Sequence, residues 1–201
     1  MNLKRYFSGI TISCSLILIC ACEHKQKAET TQFTKLDSLT ETYLDLKDRM
    51  LENWNAMISD DNQKLLAMKN LLHELVVSNP QSKESLHALE ERLAQLRRSR
   101  YTQKTMANTH VVEEYDFASN SLINELITLA ESQRQYEYNT TMQKLVEQIR
   151  TAEQRVENYR LEYDAIAEEY NRFIEENRLA LKEIDEDSFL EKKPLFQMAE
   201  E

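Results

Sequence analysis

Glycine and proline are almost absent from this 201-residue chain. Its only glycine is Gly9, and its two prolines are Pro80 and Pro194. Hairpin turns and β-bulges use glycine for its positive φ angles, and phosphate-binding loops of the P-loop and Rossmann types need it as well. The chain beyond Gly9 is therefore expected to be all-helical, without a glycine-rich nucleotide-binding motif.

Basic residues are also in short supply, with 25 Lys and Arg against 35 Asp and Glu and a formal net charge of −10. Nucleic-acid-binding domains are usually basic, so this balance argues against a nucleic-acid partner. Anionic lipid headgroups repel an acidic domain. Attachment to a membrane would therefore need an anchor other than surface charge.

The first 22 residues have the features of an export signal. Lys4 and Arg5 precede an apolar run over residues 6–19, and the small Ala21 lies just before Cys22. A basic start, an apolar stretch of about 7–15 residues and a small-residue cleavage site describe a secretory signal peptide. The apolar run is shorter than the roughly 20 residues that a membrane-spanning helix needs.

The end of this stretch, Ile19-Cys20-Ala21-Cys22, resembles a bacterial lipoprotein box, in which cleavage precedes a lipid-modified cysteine. We predict a signal peptide over residues 1–21, a lipidated Cys22 with a polar tether over residues 22–35, and one folded domain over residues 36–201. The predicted location is the bacterial cell envelope, facing the periplasm or at the cell surface. The lipid on Cys22 would attach the protein to the membrane. Two or more acyl chains make such anchoring stable.

Cysteine occurs only at Cys14, Cys20 and Cys22. After cleavage only Cys22 would remain, and its sulfur would carry lipid. The 180 residues left (201 minus 21) would then have no internal disulfide and no free thiol for catalysis or metal binding. An ordinary apolar core must hold the fold, and a chain of this length can form one.

Apolar residues recur in steps of three and four, which indicates amphipathic helices. Two long helices are predicted over residues 36–77 and 141–183. A shorter helix is predicted over residues 80–101, and another follows a turn at residues 107–110 and ends near residue 133. The apolar stripe of the first long helix is interrupted at residues 59–62, which predicts either a kink or a shift of register there. The stripe of the last keeps a seven-residue repeat over more than four heptads, which is typical of coiled-coil-like packing: Met142, Leu145, Ile149, Ala152, Val156, Tyr159, Tyr163, Ile166, Tyr170 and Phe173. The predicted fold is an elongated antiparallel four-helix bundle with two long coiled-coil-like helices.

Several short motifs resemble those of the LemA family. They are Glu153-Gln154-Arg155-Val156, Tyr163-Asp164, Tyr170-Asn171 with Ile174, Trp54 with Asn70-Leu71-Leu72, and Lys193-Pro194-Leu195-Phe196. The resemblance covers residues 54–196 and implies an elongated antiparallel helical bundle with an N-terminal membrane attachment. It implies no enzyme activity. The chain departs from the family pattern at Gln63 and Lys64, in place of paired arginines, at Lys69, in place of a proline, and at Thr151, in place of a glycine.

Two sets of polar residues are candidate sites. Asn70 and Asn171 are candidates for buried polar contacts that fix the register of the two long helices. Arg97, Arg98 and Arg100 form the basic patch of an acidic protein. Its alternative interpretations are a solvated face within one bundle or a surface that docks an acidic partner or lipid headgroups.

Catalytic and metal-binding patterns are weak. Glu84 and His87 have the Glu-x-x-His spacing of di-iron helical bundles, but those bundles need two such motifs and two further inward-facing glutamates. We therefore predict no metal, no cofactor and no enzyme activity. The predicted function is a non-catalytic helical scaffold or adaptor for another envelope protein, or for self-association. The alternative is a bundle that binds a small molecule or lipid between its helices.

The predicted anchor gives a direct test. Cys22→Ser removes the sulfur that would carry lipid, so we expect the protein to move from the membrane fraction to the soluble fraction and to lose its partition into detergent. Cys14→Ser is the matched control and should remain with membranes. Unchanged membrane association of Cys22→Ser would contradict the lipoprotein assignment.

Overall fold

The fold is given by a computed structural model that describes residues 34–78, 83–184 and 190–196. The chain divides into two units, Met1–Thr34 and Lys35–Glu201, and every element named below belongs to the second. The predicted signal peptide, Cys22 and the tether up to residue 33 lie outside the described residues. So does the predicted break between the first two helices at Asn79 and Pro80.

The described residues form five α-helices and no strand, which confirms the all-helical prediction. They are α1 (Lys35–Ser78), α2 (Lys83–Ser99), α3 (Thr109–Glu131), α4 (Thr140–Glu176) and α5 (Arg178–Ile184). Two short 3₁₀ turns, Thr105–Ala107 and Tyr136–Tyr138, precede α3 and α4. With 44 and 37 residues, α1 and α4 are the long pair, about 66 and 56 Å at 1.5 Å per residue.

The turns before α3 and α4 are built without glycine. Asn108 and Asn139 are the N-cap residues, with φ of −96° and −93°, so neither needs a left-handed backbone. The Asn108 side chain accepts from the His110 N–H at 3.2 Å, and the Asn139 side chain accepts from the Met142 N–H at 3.0 Å. These caps satisfy N–H groups that have no partner within the helix.

Helix α1 is helical throughout residues 59–62, where the sequence predicts either a kink or a shift of register. The end of helix α4 differs from the sequence prediction. Helix α4 ends at Glu176 rather than near residue 183, because Asn177 leaves the helical conformation with φ of −113° and ψ of 16°. The Asn177 side-chain amide donates to the Phe173 carbonyl at 3.0 Å, and α5 starts at the next residue.

Side-chain contacts give the helix directions. Helix α1 runs antiparallel to α4, because Tyr43 meets Tyr170 near one end and Lys64 meets Glu153 further along. Helix α3 also runs antiparallel to α4, since Asp116 pairs with Arg160 and Glu131 with Arg150. Helix α1 contacts all the other helices, so the core lies around it.

The core consists of aliphatic, methionine and aromatic side chains, and every helix contributes to it. Its fully buried members include Leu46, Met68, Leu71, Leu72, Leu122, Leu126, Met142, Ile149 and Tyr163. In the described part of the chain, no helix combines the length and the apolar character needed to cross a membrane.

Candidate functional site

Lys64 of α1 is the centre of a buried group of charges. Only 3% of its surface is exposed, and its ammonium lies between two carboxylates. The Nζ atom is 2.9 Å from Glu153 Oε2 of α4 and 3.1 Å from Asp61 Oδ1, one turn away on α1. Lys64 also donates to Ser119 Oγ of α3 at 3.4 Å. One side chain thus joins three helices.

Asp61 extends this group towards α2 and α3. The Tyr115 hydroxyl donates to both Asp61 oxygens, at 2.8 and 3.0 Å. Arg100, just beyond α2, donates to Asp61 Oδ2 at 3.0 Å and to Asn62 Oδ1 at 2.8 Å. We call Asp61, Lys64, Arg100, Tyr115, Ser119 and Glu153 the polar cluster.

Two further ion pairs flank the polar cluster. Arg155 of α4 pairs with the buried Asp60 of α1, with an Nε–Oδ2 distance of 3.2 Å. Arg160 of α4 binds both oxygens of Asp116 of α3, each at 2.7 Å. Such a two-point contact fixes orientation as well as distance. The cluster and its two flanking pairs together hold four acidic and four basic side chains.

The charges of the polar cluster compensate one another. Burial lowers the pKa of Lys64, but Asp61 and Glu153 outweigh burial and hold this pKa above its ordinary value. Burial and the nearby Asp61 raise the pKa of Tyr115 far above its ordinary value, so its hydroxyl stays a donor. A cavity of about 20 Å³ lies among these groups, large enough for one water molecule. This arrangement holds helices together through buried, paired charges.

A second site, the aromatic pocket, lies beside the cluster and is formed by Trp54, Tyr101, Tyr163 and Arg160. It holds the ring of Phe196. The Phe196 ring stacks on Trp54 at 6.2 Å and 11°, and meets Tyr101 and Tyr163 edge-on at 5.7 and 5.6 Å. The Arg160 guanidinium lies 5.0 Å from the Phe196 ring centre and donates to the Tyr101 hydroxyl at 2.9 Å. Aromatic and cation–π contacts of this kind add to the energy of area burial.

The C-terminal segment, residues 190–196, reaches this pocket along α4. The Asn171 side chain accepts from the Lys193 N–H at 2.7 Å and donates to the Lys193 carbonyl at 2.9 Å. Further along, Asp164 Oδ1 accepts from the Phe196 N–H at 2.8 Å. The Lys193 ammonium lies 5.8 Å from the Tyr170 ring centre. The segment is therefore held by side chains of α4, at its backbone and at its rings.

The two candidate asparagines do not meet. Asn70 is exposed and lines an open groove between α1 and α4, whereas Asn171 is half-buried and holds Lys193. The buried polar contacts between the long helices come from Lys64 and Asp60 instead. Asn171 thus fixes the C-terminal segment to α4 rather than the register of α1 against α4.

The three arginines of the basic patch have different surroundings in the structure. Arg97 and Arg98 are exposed on the last turn of α2, but Arg100 is half-buried and bound to Asp61 and Asn62. Arg100 therefore belongs to the polar cluster, whereas Arg97 and Arg98 remain on the surface.

Glu84 and His87 are both exposed, and 68% of the His87 side chain is accessible. The His87 ring faces Glu90 and Glu91 of its own helix, at 3.5 and 3.7 Å. Among the residues that the structure describes, no group of three or more His, Cys, Asp or Glu side chains is placed to hold a metal ion.

The polar cluster was missed at the sequence level, although a signal for it exists. Met57, Asp61, Lys64 and Met68 follow one another in steps of four, three and four. The apolar stripe of α1 therefore continues through residues 59–62 with two charged residues at its positions. Charged residues at stripe positions require buried partners, and this requirement could have identified the cluster.

Loss of the Lys64 charge should lower the stability of the folded domain. Lys64→Met removes the cation that lies between Asp61 and Glu153 and leaves Asp61 with Arg100 alone, so we expect the free energy of unfolding to fall by about 3–5 kcal/mol. Arg49→Met is the matched control on α1, because Arg49 forms an exposed pair with Glu169 at 3.3 Å and should cost at most about 1 kcal/mol. Urea unfolding measures both. Equal effects of the two variants would contradict a central role for Lys64.

Tyr163 should make stability depend on alkaline pH. Burial, with the nearby Asp164, raises the pKa of Tyr163 to about 12 from 10.0 in the unfolded chain. The folded state therefore holds the phenolic proton longer, and this contribution to stability is complete below pH 10 and lost as the pH rises towards 12. Between pH 9 and pH 11, wild type should lose more stability in urea unfolding than Tyr163→Phe.

The control for this comparison is Tyr138→Phe, which removes a hydroxyl from a residue that is 84% exposed and should lose as much stability as wild type. Identical pH profiles for Tyr163→Phe and wild type would overturn the assignment to Tyr163.

In comparisons with known proteins, the sequence matches no protein-family model, no curated protein and no solved structure. A function must therefore be argued from the residues described above.

Proposed function

We propose that this protein is a lipid-anchored, non-catalytic adaptor of the bacterial cell envelope, built on a LemA-like helical bundle. Cys22 would hold the anchor, and the helical domain would present a docking surface to another envelope protein. The observation that carries the adaptor role is an open groove between α1 and α2 with an apolar floor and cations at its rim.

The α1–α2 groove has a volume of about 670 Å³. Its floor includes Leu65, Leu72 and Leu93, and Leu66, 58% exposed, lies at its side. Exposed apolar surface with a polar rim is typical of protein interaction sites. Leu65, Leu72 and Leu93 are themselves almost fully buried, so Leu66 is the large apolar side chain that the groove leaves accessible to solvent.

The rim of the α1–α2 groove carries two cations, Lys69 of α1 and Arg97 of α2, and one carboxylate, Glu90 of α2. Arg98, the next residue on α2, is exposed as well. In a protein with a net charge of −10, these cations favour an acidic partner segment. An amphipathic partner helix with leucine-like residues on one side and carboxylates at its edges would fit both features.

The pairing of the buried charges with one another supports a non-catalytic role. Lys64, Asp61, Glu153 and the flanking ion pairs bind one another across α1, α3 and α4. Groups engaged in this way stabilise and align helices. We therefore assign the polar cluster to the architecture of the domain.

The directions of the helix pairs and the contacts of the motif residues support the LemA-like bundle. Residues that carry the resemblance meet in space: Trp54 and Tyr163 contact Phe196, and Asn171 binds Lys193. We propose an elongated antiparallel four-helix bundle of α1 to α4, with α5 and the C-terminal segment as additions.

A second candidate function uses the same α1–α2 groove. An apolar floor beside Lys69 and Arg97 also fits an amphipathic anion such as a fatty acid, with its carboxylate at the rim. The two functions differ in what saturates the groove, a protein segment or a small amphiphile, and native mass spectrometry of protein purified from envelopes distinguishes them.

Charge reversal on α2 tests the adaptor function. The double variant Arg97→Glu with Arg98→Glu should weaken capture of an acidic envelope partner by at least about tenfold, because like charges would then face each other. The melting temperature should remain that of wild type. Crosslinking in cells followed by affinity purification and mass spectrometry measures the capture.

Two comparisons make this experiment specific. Arg134→Glu with Arg178→Glu reverses two exposed arginines on other elements and should leave capture intact. Arg100→Glu places a carboxylate beside Asp61 and should lower the free energy of unfolding by about 3 kcal/mol. Normal capture by the Arg97, Arg98 double variant would remove these residues from the docking surface.

A further inference from the structure

We propose that the aromatic pocket, with Asn171 and Asp164 of α4, is a binding site for an extended peptide, and that the C-terminal segment of a second copy of this chain can occupy it. This site is separate from the α1–α2 groove, so its failure would leave the adaptor proposal untouched.

The segment is bound as a separate peptide would be bound. Its described residues form no helix or strand, and α4 side chains bind the backbone at Lys193 and Phe196. Pro194, between these positions, has no N–H to satisfy and restricts φ in advance. A peptide of the same sequence could make each of these contacts without being joined to α5.

The distance between the two binding residues on α4 matches the distance between their partners in an extended chain. Asn171 and Asp164 are seven residues apart, two helical turns or about 10.5 Å. Their partners Lys193 and Phe196 are three residues apart, about 10 Å in an extended chain. The segment therefore runs antiparallel to α4, with successive contacts in step.

The segment is recognised at two positions, at the backbone of Lys193 and at the ring of Phe196. Asn171 binds the N–H and the C=O of one residue, which selects extended backbone regardless of side chain. The aromatic pocket selects an aromatic side chain at position 196, because Trp54, Tyr101 and Tyr163 surround the Phe196 ring. The Arg160 guanidinium covers this ring. The ligand class is thus an extended segment with an aromatic residue three positions after the residue held by Asn171.

A second copy is the occupant that the sequence favours. Each copy carries this segment, and residues 190–196 hold two lysines and one glutamate in a protein with a net charge of −10, so the segment is attracted to an acidic neighbour. Exchange of identical segments recreates the same contacts in the partner and is a low-cost route to dimers.

Trp54 makes the proposal measurable in the full-length chain. It is the only tryptophan and stacks on Phe196, so its emission reports the occupied pocket. Phe196→Ala should change this emission. A synthetic peptide of residues 190–196 should restore the wild-type emission in a saturable way, and the same peptide with Phe196→Ala should not.

A second substitution checks the hydrogen bonds of Asn171. In the Phe196→Ala chain, Asn171→Leu removes two bonds to Lys193 and should weaken peptide binding at least about tenfold. Gln148→Leu, at an exposed position of α4, is the control and should leave binding unchanged. Absence of saturable restoration by the wild-type peptide would overturn the binding site.

Capture between chains tests the occupant. Tagged Phe196→Ala, whose pocket is open, should retain untagged wild-type chains, and excess peptide of residues 190–196 should release them. Peptide binding without capture of wild type would overturn the second copy as occupant. If Phe196→Ala loses helicity, a protease site placed within residues 185–189 of the wild-type chain gives the same information: after cleavage, exchange with labelled peptide supports the site and no exchange overturns it.

Discussion

A buried lysine is the constraint on which the arrangement of these helices depends. Taking the Lys64 ammonium out of water costs several kcal/mol unless compensating charges lie close by. Asp61 and Glu153 supply them, and Ser119 adds a hydrogen bond from α3. Apolar side chains tolerate small displacements, whereas charges at about 3 Å do not. The polar cluster therefore selects one register of α1, α3 and α4 from those that the apolar stripes allow.

Arg160 connects this constraint to the C-terminal segment. One side of its guanidinium is fixed by Asp116, and it also covers the Phe196 ring. Because Asp116 sets its orientation, this wall of the aromatic pocket is already in place when Phe196 enters. Burial lowers the pKa of Arg160, but Asp116 and Tyr101 outweigh burial and keep this pKa raised. A permanent cation thus belongs both to an ion pair that flanks the polar cluster and to the aromatic pocket.

The helical class and the positions of the helices could be predicted from the sequence, because spacing in threes and fours and the absence of glycine are local signals. The polar cluster could not be predicted in detail, since Lys64 and Glu153 are 89 positions apart and Arg155 and Asp60 are 95 apart. Asn171 illustrates the same limit. Its type and position suggested a buried polar contact, but its partner is the backbone of Lys193, which carries no residue-specific pattern. Arg97 and Arg100 look equivalent in the sequence, and only the fold shows that Asp61 engages one of them.

The proposed α1–α2 groove and the aromatic pocket both use α1, and the polar cluster lies between them. Asn62 lines the groove and accepts from Arg100, which also binds Asp61. On the other side, Tyr101 follows Arg100 directly and forms part of the aromatic pocket. The connection after α2 therefore places two adjacent residues in contact with two separate surfaces. Because Arg100 is held by a buried carboxylate, its bond to Asn62 fixes this part of the groove rim, and the position of the neighbouring Tyr101 is fixed for the same reason. The buried charges thus give both surfaces a rigid base in a domain whose remaining packing is largely apolar.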